Sequence, residues 1–249
     1  MRRPVISALS LCVAAALSGC SAATPAAEPP SATTASSVTY TVVGNHPVLP
    51  NGSQDTHAQT PGSECDSATS AADEALGGRV ADGFALAGFP VSAALLRHFL
   101  KGTGTEVDYP AGSAISRKAL ASSAFRAVDN EVKEAVLAQL KAGRTRVLLS
   151  VAQLPTVAFE SKTSDLYWGF RGTQGLTVTG SIRHESGQYV GTLTYVIRDS
   201  YGFPVSDTLD GFGPPMRYLQ TVCGAPQHAG GARWFPDTIA LTVPFTQAP

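Results

Sequence analysis

The chain has 249 residues, of which 43% are hydrophobic and 15% are charged, and its formal net charge is −1. This composition excludes a disordered chain, because disordered chains combine low hydrophobicity with high net charge. The balanced charge argues against a nucleic-acid-binding protein, which normally carries a basic face. No apolar run of about 20 residues follows the N-terminal region, which excludes a multi-pass membrane protein.

The first 19 residues are arranged like a bacterial export signal. Arg2 and Arg3 supply a positive start, residues 5–17 supply an apolar segment of signal-peptide length, and Leu-Ser-Gly-Cys follows at positions 17–20. This order resembles the lipobox of bacterial lipoproteins. The resemblance implies that the signal is cleaved before Cys20 and that the Cys20 thiol receives a diacylglyceryl group. The alternative is an ordinary secretory signal that happens to contain a cysteine.

The lipobox also predicts the location of the protein. Two acyl chains anchor a protein durably, so we expect this protein on the extracytoplasmic face of the cell membrane. The membrane itself is then a binding partner, through the lipid anchor. Residues 20–37 then form the lipidated cysteine and a Pro/Ser/Thr/Ala-rich tether that contains no large apolar residue. Residues 38–249 are predicted to form one globular domain.

Four cysteines are present, and two of them remain for the globular domain. Cys12 leaves with the signal and Cys20 carries the lipid. Two remaining cysteines in an exported protein usually pair, which predicts a disulfide between Cys65 and Cys223. The alternative roles, a thiol nucleophile or a metal-binding pair, have no C-x-x-C spacing to support them.

Helical periodicity is clearest in the N-terminal half of the domain. A weak pattern predicts a short helix over residues 66–76, and a clearer one predicts a helix over 91–100. Apolar residues spaced by three and four predict a longer helix over 125–140. Ser116 or Ser122 could cap that helix, and Gly143 is a natural end for it.

Residues 38–43 read as a first strand, and after Gly143 the apolar period changes from 3.6 to 2. Alternating patterns predict strands over 146–151, 165–171, 176–182, 189–197 and 238–245. The third and fourth of these flank a short glycine-containing turn and read as an antiparallel hairpin. The predicted fold class is therefore α+β, with a helical N-terminal half packed on an antiparallel sheet formed mainly by the C-terminal half.

Several common catalytic signatures are absent from the sequence. There is no G-x-S-x-G, H-E-x-x-H, G-x-x-x-x-G-K-[ST] or strand-following G-x-G-x-x-G motif. The five histidines, at positions 46, 57, 98, 184 and 228, show no ligand spacing. His98 lies among apolar residues, which favours a structural role over a catalytic one. The sequence therefore predicts no metal site and no cofactor.

Aromatic residues provide one candidate binding feature. Tyr167 and Trp168, with Phe170, could form a stacking platform for a sugar or an aromatic ligand, and Trp234 lies in a second aromatic stretch. At strand spacing, however, such residues more often pack in the core.

A polar cluster after the hairpin provides the other candidate site. It contains Asp199 and Tyr201, and Arg217 and Arg233 follow in the next segments. An acid, a tyrosine and an arginine at a strand exit could serve phosphoryl chemistry or bind a carboxylate. The alternative is a loop whose acidic and basic side chains satisfy its own backbone.

Residues 191–203 resemble the end of the catalytic domain of colicin-M-type bacteriocins, which cleave undecaprenyl-linked peptidoglycan precursors. That family uses a D-x-Y-D motif followed five residues later by His-Arg. Asp199 and Tyr201 match the motif, whereas Gly202 replaces its second aspartate and Thr208-Leu209 occupies the His-Arg positions. The resemblance implies that Asp199 supplies the acid group of such a site and Tyr201 its hydroxyl group.

Two functions follow from these observations. The first is a non-enzymatic envelope lipoprotein that binds a ligand, a cell-wall component or a partner protein through loops at the end of the sheet, where binding residues tend to lie. The second is a hydrolase of a lipid-linked phosphate, with Arg217 or Arg233 stabilising the charge. The missing catalytic motifs favour binding. Neither function involves nucleic acid.

Overall fold

The computed structural model describes residues 36–39, 64–142, 146–154, 157–171, 173–203, 211–224 and 231–249. Its fold is α+β, as the sequence predicts, with most helices in the first half and most of the sheet in the second. The lipobox with Cys20, the part of the predicted first strand beyond Thr39, and Gly143 lie outside the described residues. Within the described residues, no helix is both long and apolar enough to cross a membrane.

Six helices are present, counting only the described residues, and the last continues into a π-helical segment. Their bounds are α1 Ser67–Leu86, α2 Pro90–Leu100, α3 Ala114–Ala121, α4 Ser123–Lys141, α5 Asp165–Phe170, α6 Gly213–Tyr218 and the π-helical segment Leu219–Cys223. Helix α1 is much longer than predicted from the sequence. It begins where the Asp66 side chain accepts a hydrogen bond from Thr69 N (2.6 Å). Gly77 lets α1 pack closely, because a Cβ there would lie 3.0 Å from the side chains of Leu100 and Met216.

Helix α4 forms as its periodicity predicts. Ser122, and not Ser116, caps it by accepting a hydrogen bond from Phe125 N (3.2 Å). Its predicted apolar stripe is buried: Phe125, Val128, Val132, Val136 and Leu140. This stripe packs the helix on the sheet, where the Phe125 and Tyr195 rings meet edge to face at 5.0 Å.

The strands form one six-stranded sheet in the order β1-β3-β4-β5-β6-β2. Their bounds are β1 Ser36–Thr39, β2 Val107–Tyr109, β3 Arg146–Leu154, β4 Gly175–Glu185, β5 Gln188–Tyr201 and β6 Phe235–Gln247. From β3 to β6 each strand is antiparallel to its neighbour, and β4 and β5 form the predicted hairpin. The two short edge strands pair in parallel, β1 with β3 and β2 with β6.

One predicted strand, over residues 165–171, is wrong: residues 165–170 form helix α5. Ser164 caps the helix by accepting a hydrogen bond from Leu166 N (3.2 Å). The buried positions fall at 165, 166, 167, 169 and 170, a grouping that suits one helical face and not a strand. The apparent alternation of Leu166, Trp168 and Phe170 was therefore misleading, because Trp168 is only half-buried.

The predicted disulfide between Cys65 and Cys223 is confirmed. It joins the residue before the cap of α1 to the end of the π-helical segment. The adjacent Asp66 N donates to the Tyr218 hydroxyl (2.8 Å), so two contacts attach the start of α1 to the helical segment between β5 and β6. The N-terminal and C-terminal halves of the domain are thereby linked covalently.

Candidate functional site

Two carboxylates lie side by side inside the domain, on neighbouring strands. Asp199 of β5 and Asp237 of β6 are directly opposite each other in the sheet register. Asp199 is 8% exposed and Asp237 is fully buried. Their strand neighbours on the same face are apolar, with Ile197 opposite Ile239 and Tyr201 opposite Phe235. The acid pair therefore sits in the apolar layer between the sheet and the helices.

Burial controls the ionisation of this pair. It raises the pKa of Asp199 from 3.8 to about 7, although Ser200 N donates a hydrogen bond to the Asp199 carboxylate (2.8 Å). Burial, then the charge of Asp199, raises the pKa of Asp237 well above its usual value, and Glu106 adds to this effect. Apart from the backbone N–H of Asp237 itself, neither carboxylate oxygen of this residue has a hydrogen-bond partner in the described part of the chain. Both carboxyl groups are therefore harder to ionise than an exposed aspartate.

Polar groups continue from the acid pair across the interior. Burial, the charge of Asp237 and that of Asp165 raise the pKa of the Tyr109 phenol. Asp165 is itself fully buried, and it accepts hydrogen bonds from Ser92 N (3.0 Å) and Ser92 Oγ (3.1 Å). Its second oxygen forms a salt bridge with Lys118 Nζ (2.6 Å). The Lys118 side chain is partly exposed, so this series of polar groups ends at the protein surface.

Lys118 reaches the wall of a cavity of about 890 Å³ at the ends of several helices. The loop before α2 forms one side of the cavity, the α3–α4 junction forms another, and residues 158–166 contribute a third. The wall combines apolar side chains, including Phe89 and Ala158, with one acid, Glu160, and five hydroxyl groups. These hydroxyls belong to Ser122, Ser123, Ser161, Thr163 and Ser164.

The other three predicted catalytic residues have different surroundings from Asp199. Tyr201 is 7% exposed, and its ring stacks on Phe235 with centroids 5.5 Å apart. Arg217 lies on α6. Arg233 is exposed just before β6, and its backbone N–H donates to Phe99 O (3.2 Å). Of the four residues, Asp199 alone has a described environment that suits proton transfer, and its partner there is Asp237.

The predicted binding aromatics do not form one platform. Tyr167 is buried in α5, with the Arg171 guanidinium 5.2 Å from its ring centre. Trp168 is half-buried, donates its indole N–H to Lys162 O (2.9 Å) and packs against other aromatic rings. Trp234 lies half-buried before β6, in another part of the domain.

His98 has the structural role that its sequence context favours. Its ring packs edge to face on Phe235, with centroids 4.4 Å apart, and Nε2 lies 2.9 Å from Thr105 O. In the described ranges, no three His, Cys, Asp or Glu side chains are grouped as metal ligands. Comparison with known protein families, curated proteins and solved structures found no match.

Sequence reasoning missed Asp237, Asp165 and the cavity. Asp237 could have been found from the sequence, because it places a charged side chain among the inward-facing residues Phe235, Ile239 and Leu241. A carboxylate at a core-facing strand position is rare enough to indicate a special role. Asp165 and the cavity gave no comparable signal, since their neighbours come from distant parts of the chain.

Proposed function

We propose that this chain is an exported, lipid-anchored protein of the bacterial cell envelope whose domain binds a ligand. The lipobox at residues 17–20 supports the anchor. The Cys65–Cys223 disulfide supports export, because disulfides persist in oxidising compartments outside the cytoplasm.

The cavity is the observation that carries the binding part of the proposal. Its volume of about 890 Å³ falls in the range of small-molecule sites, which are about 300–1,000 Å³. Such sites combine apolar surface with a few convergent polar groups, as this wall does. The hydroxyls that do not cap a helix, on Ser123, Ser161 and Thr163, with Lys118 and Glu160, suit a ligand that bears hydroxyl, amide and carboxylate groups together with a small apolar part. A sugar–peptide fragment of the cell wall has this chemistry.

Filling the cavity should abolish ligand binding without unfolding the domain. Ala158 lines the cavity and is exposed, so Ala158→Trp should occupy the site without disturbing the core. In thermal-shift assays with muramyl dipeptide, the wild-type protein should be stabilised and the Ala158→Trp variant should not.

The matched control is Ala75→Trp, which adds the same side chain at an exposed position of α1. It should respond to muramyl dipeptide as the wild type does. Equal stabilisation of the Ala158→Trp variant would place the binding site elsewhere. No stabilisation of the wild type would remove the sugar–peptide class from the proposal.

The second candidate function is the hydrolase of a lipid-linked phosphate. The acid pair favours it, because a carboxyl group with a pKa of about 7 can act as a general acid or base near neutral pH. Two further features oppose it. Tyr201 is buried against Phe235, and Asp199 and Asp237 are buried as well, so neither carboxyl group faces solvent where a phosphate would bind. Binding is therefore the better-supported function.

A further inference from the structure

The segment that joins α1 to α2 is the most apolar exposed segment that the structure describes. It comprises the last four residues of α1, residues 87–89 and the first two residues of α2. We call residues 83–91, Gly-Phe-Ala-Leu-Ala-Gly-Phe-Pro-Val, the apolar turn. No side chain in it carries a polar atom, and none of the nine residues is buried. Leu86 is 90% exposed, the only large hydrophobic side chain so exposed in the described ranges. Connections between helices are normally rich in polar residues, so this composition requires an explanation.

Aromatic rings extend the apolar turn into a continuous patch. The Phe84 ring lies 6.5 Å from that of Phe89, 5.4 Å from that of Trp168 and 6.2 Å from that of Phe212. All four side chains are only half-buried. The backbone of the turn is fixed by a hydrogen bond from Phe89 N to Phe84 O (2.8 Å), with Gly88 at a φ of +84°. Leu86, the last residue of α1, is therefore exposed to solvent at a well-defined position.

Exposure of this patch to water is energetically unfavourable, and binding to an apolar surface would remove the patch from water. A leucine side chain left in water forgoes the favourable free energy of burial. Contiguous exposed apolar patches mark sites of protein or membrane interaction. The patch surrounds the exposed end of α1 and borders the cavity at Gly88 and Phe89. If the chain carries the proposed lipid anchor, the bilayer that holds this anchor is the apolar surface nearest to the patch.

The charges around the patch also suit a membrane surface. Lys162 and Arg171 are exposed and flank Trp168 and Tyr167 on helix α5. Of the nearby acids, Asp82 forms a salt bridge with Arg97 (2.6 Å), and Glu160 lies on the cavity wall. Apolar and tryptophan side chains bordered by basic residues are typical of protein surfaces that lie on anionic bilayers.

We propose that the apolar turn docks on the bilayer that holds the lipid anchor, with Leu86 and Phe89 entering the headgroup layer. The inference rests on the proposed function for the anchor alone. The chain from Cys20 to Ser36 spans at most about 55 Å, so the anchor keeps the domain close to the membrane. Gly88 and Phe89 also line the cavity, and docking would bring the cavity to the headgroup layer.

Vesicle binding tests this inference without the anchor. The mature chain beginning at Ser21, which carries no lipid, is mixed with phosphatidylethanolamine/phosphatidylglycerol vesicles that contain brominated acyl chains. We expect the protein to sediment with the vesicles and its tryptophan fluorescence to be quenched. Leu86→Asp should weaken vesicle binding at least about tenfold, because it places a charge at the most exposed apolar position.

Ala75→Asp, at an exposed position elsewhere on α1, is the matched control and should bind as the wild type does. Equal vesicle binding by the Leu86→Asp variant and the wild type would overturn the inference. Self-association through Leu86 without vesicle binding would overturn it as well, in favour of a contact between two copies. None of these outcomes bears on acylation of Cys20, so this test and that of the anchor can fail separately.

Discussion

At pH 8, the Asp199→Asn variant should be more stable than the wild-type protein by up to about 4 kcal/mol. The pKa of Asp199 is raised from 3.8 to about 7 in the folded protein. Between about pH 4 and pH 7 the folded protein therefore binds more protons than the unfolded chain, and wild-type stability falls as the pH rises. Asparagine has no such charge to desolvate. Urea unfolding at pH 4.5 and pH 8 measures the difference.

At pH 4.5 the two proteins should differ little, because Asp199 is then protonated in the folded state. Asp237→Asn should act in the same direction, since it removes the other member of the acid pair. Glu134→Gln, at an exposed position on α4, provides the control and should leave the pH dependence unchanged. If Asp199→Asn lowers stability at pH 8, the acid pair is ionised and held by a cation or a donor group.

Loss of the disulfide should change the free energy of unfolding by a similar amount, but in the destabilising direction. Cys65 and Cys223 are 158 residues apart in sequence, and the entropy of closing such a loop corresponds to about 5 kcal/mol. Replacing both residues by serine should lower the urea midpoint of unfolding substantially. Wild-type protein treated with a reductant should behave like the double variant, whereas the reductant should not affect that variant.

Thiol counting provides an independent check of the same bond. The denatured but unreduced mature domain should contain no free thiol at Cys65 or Cys223. Two free thiols, or an unchanged midpoint in the double serine variant, would show that the bond is not a structural element of the exported protein.

The long periodic elements could be predicted from sequence. Helix α4 and the β4–β5 hairpin have patterns that persist over many residues, so chance matches are rare. Helix α5 could not be predicted, because six residues hold too few turns for a period to show. The parallel pairing of β1 and β2 at the two edges of the sheet could not be predicted either, since their partner strands are distant in sequence.

The candidate site was only partly predictable for a similar reason. Asp199 stood out because it comes soon after the strongly alternating run of residues 189–197. Its partner Asp237 became apparent only when the register placed the two residues opposite each other. The cavity combines side chains from the loop before α2, the α3–α4 junction and residues 158–166, and no local pattern relates these segments.

Acylation of Cys20 is the most direct test of the lipoprotein proposal. Cells expressing the full chain are fed labelled palmitate, and their membranes are washed with carbonate to remove proteins without a lipid anchor. We predict that the wild type and a Cys12→Ala control incorporate label and stay in the washed membranes. The Cys20→Ala variant should do neither. Labelling and membrane retention of Cys20→Ala equal to those of the wild type would contradict the proposal.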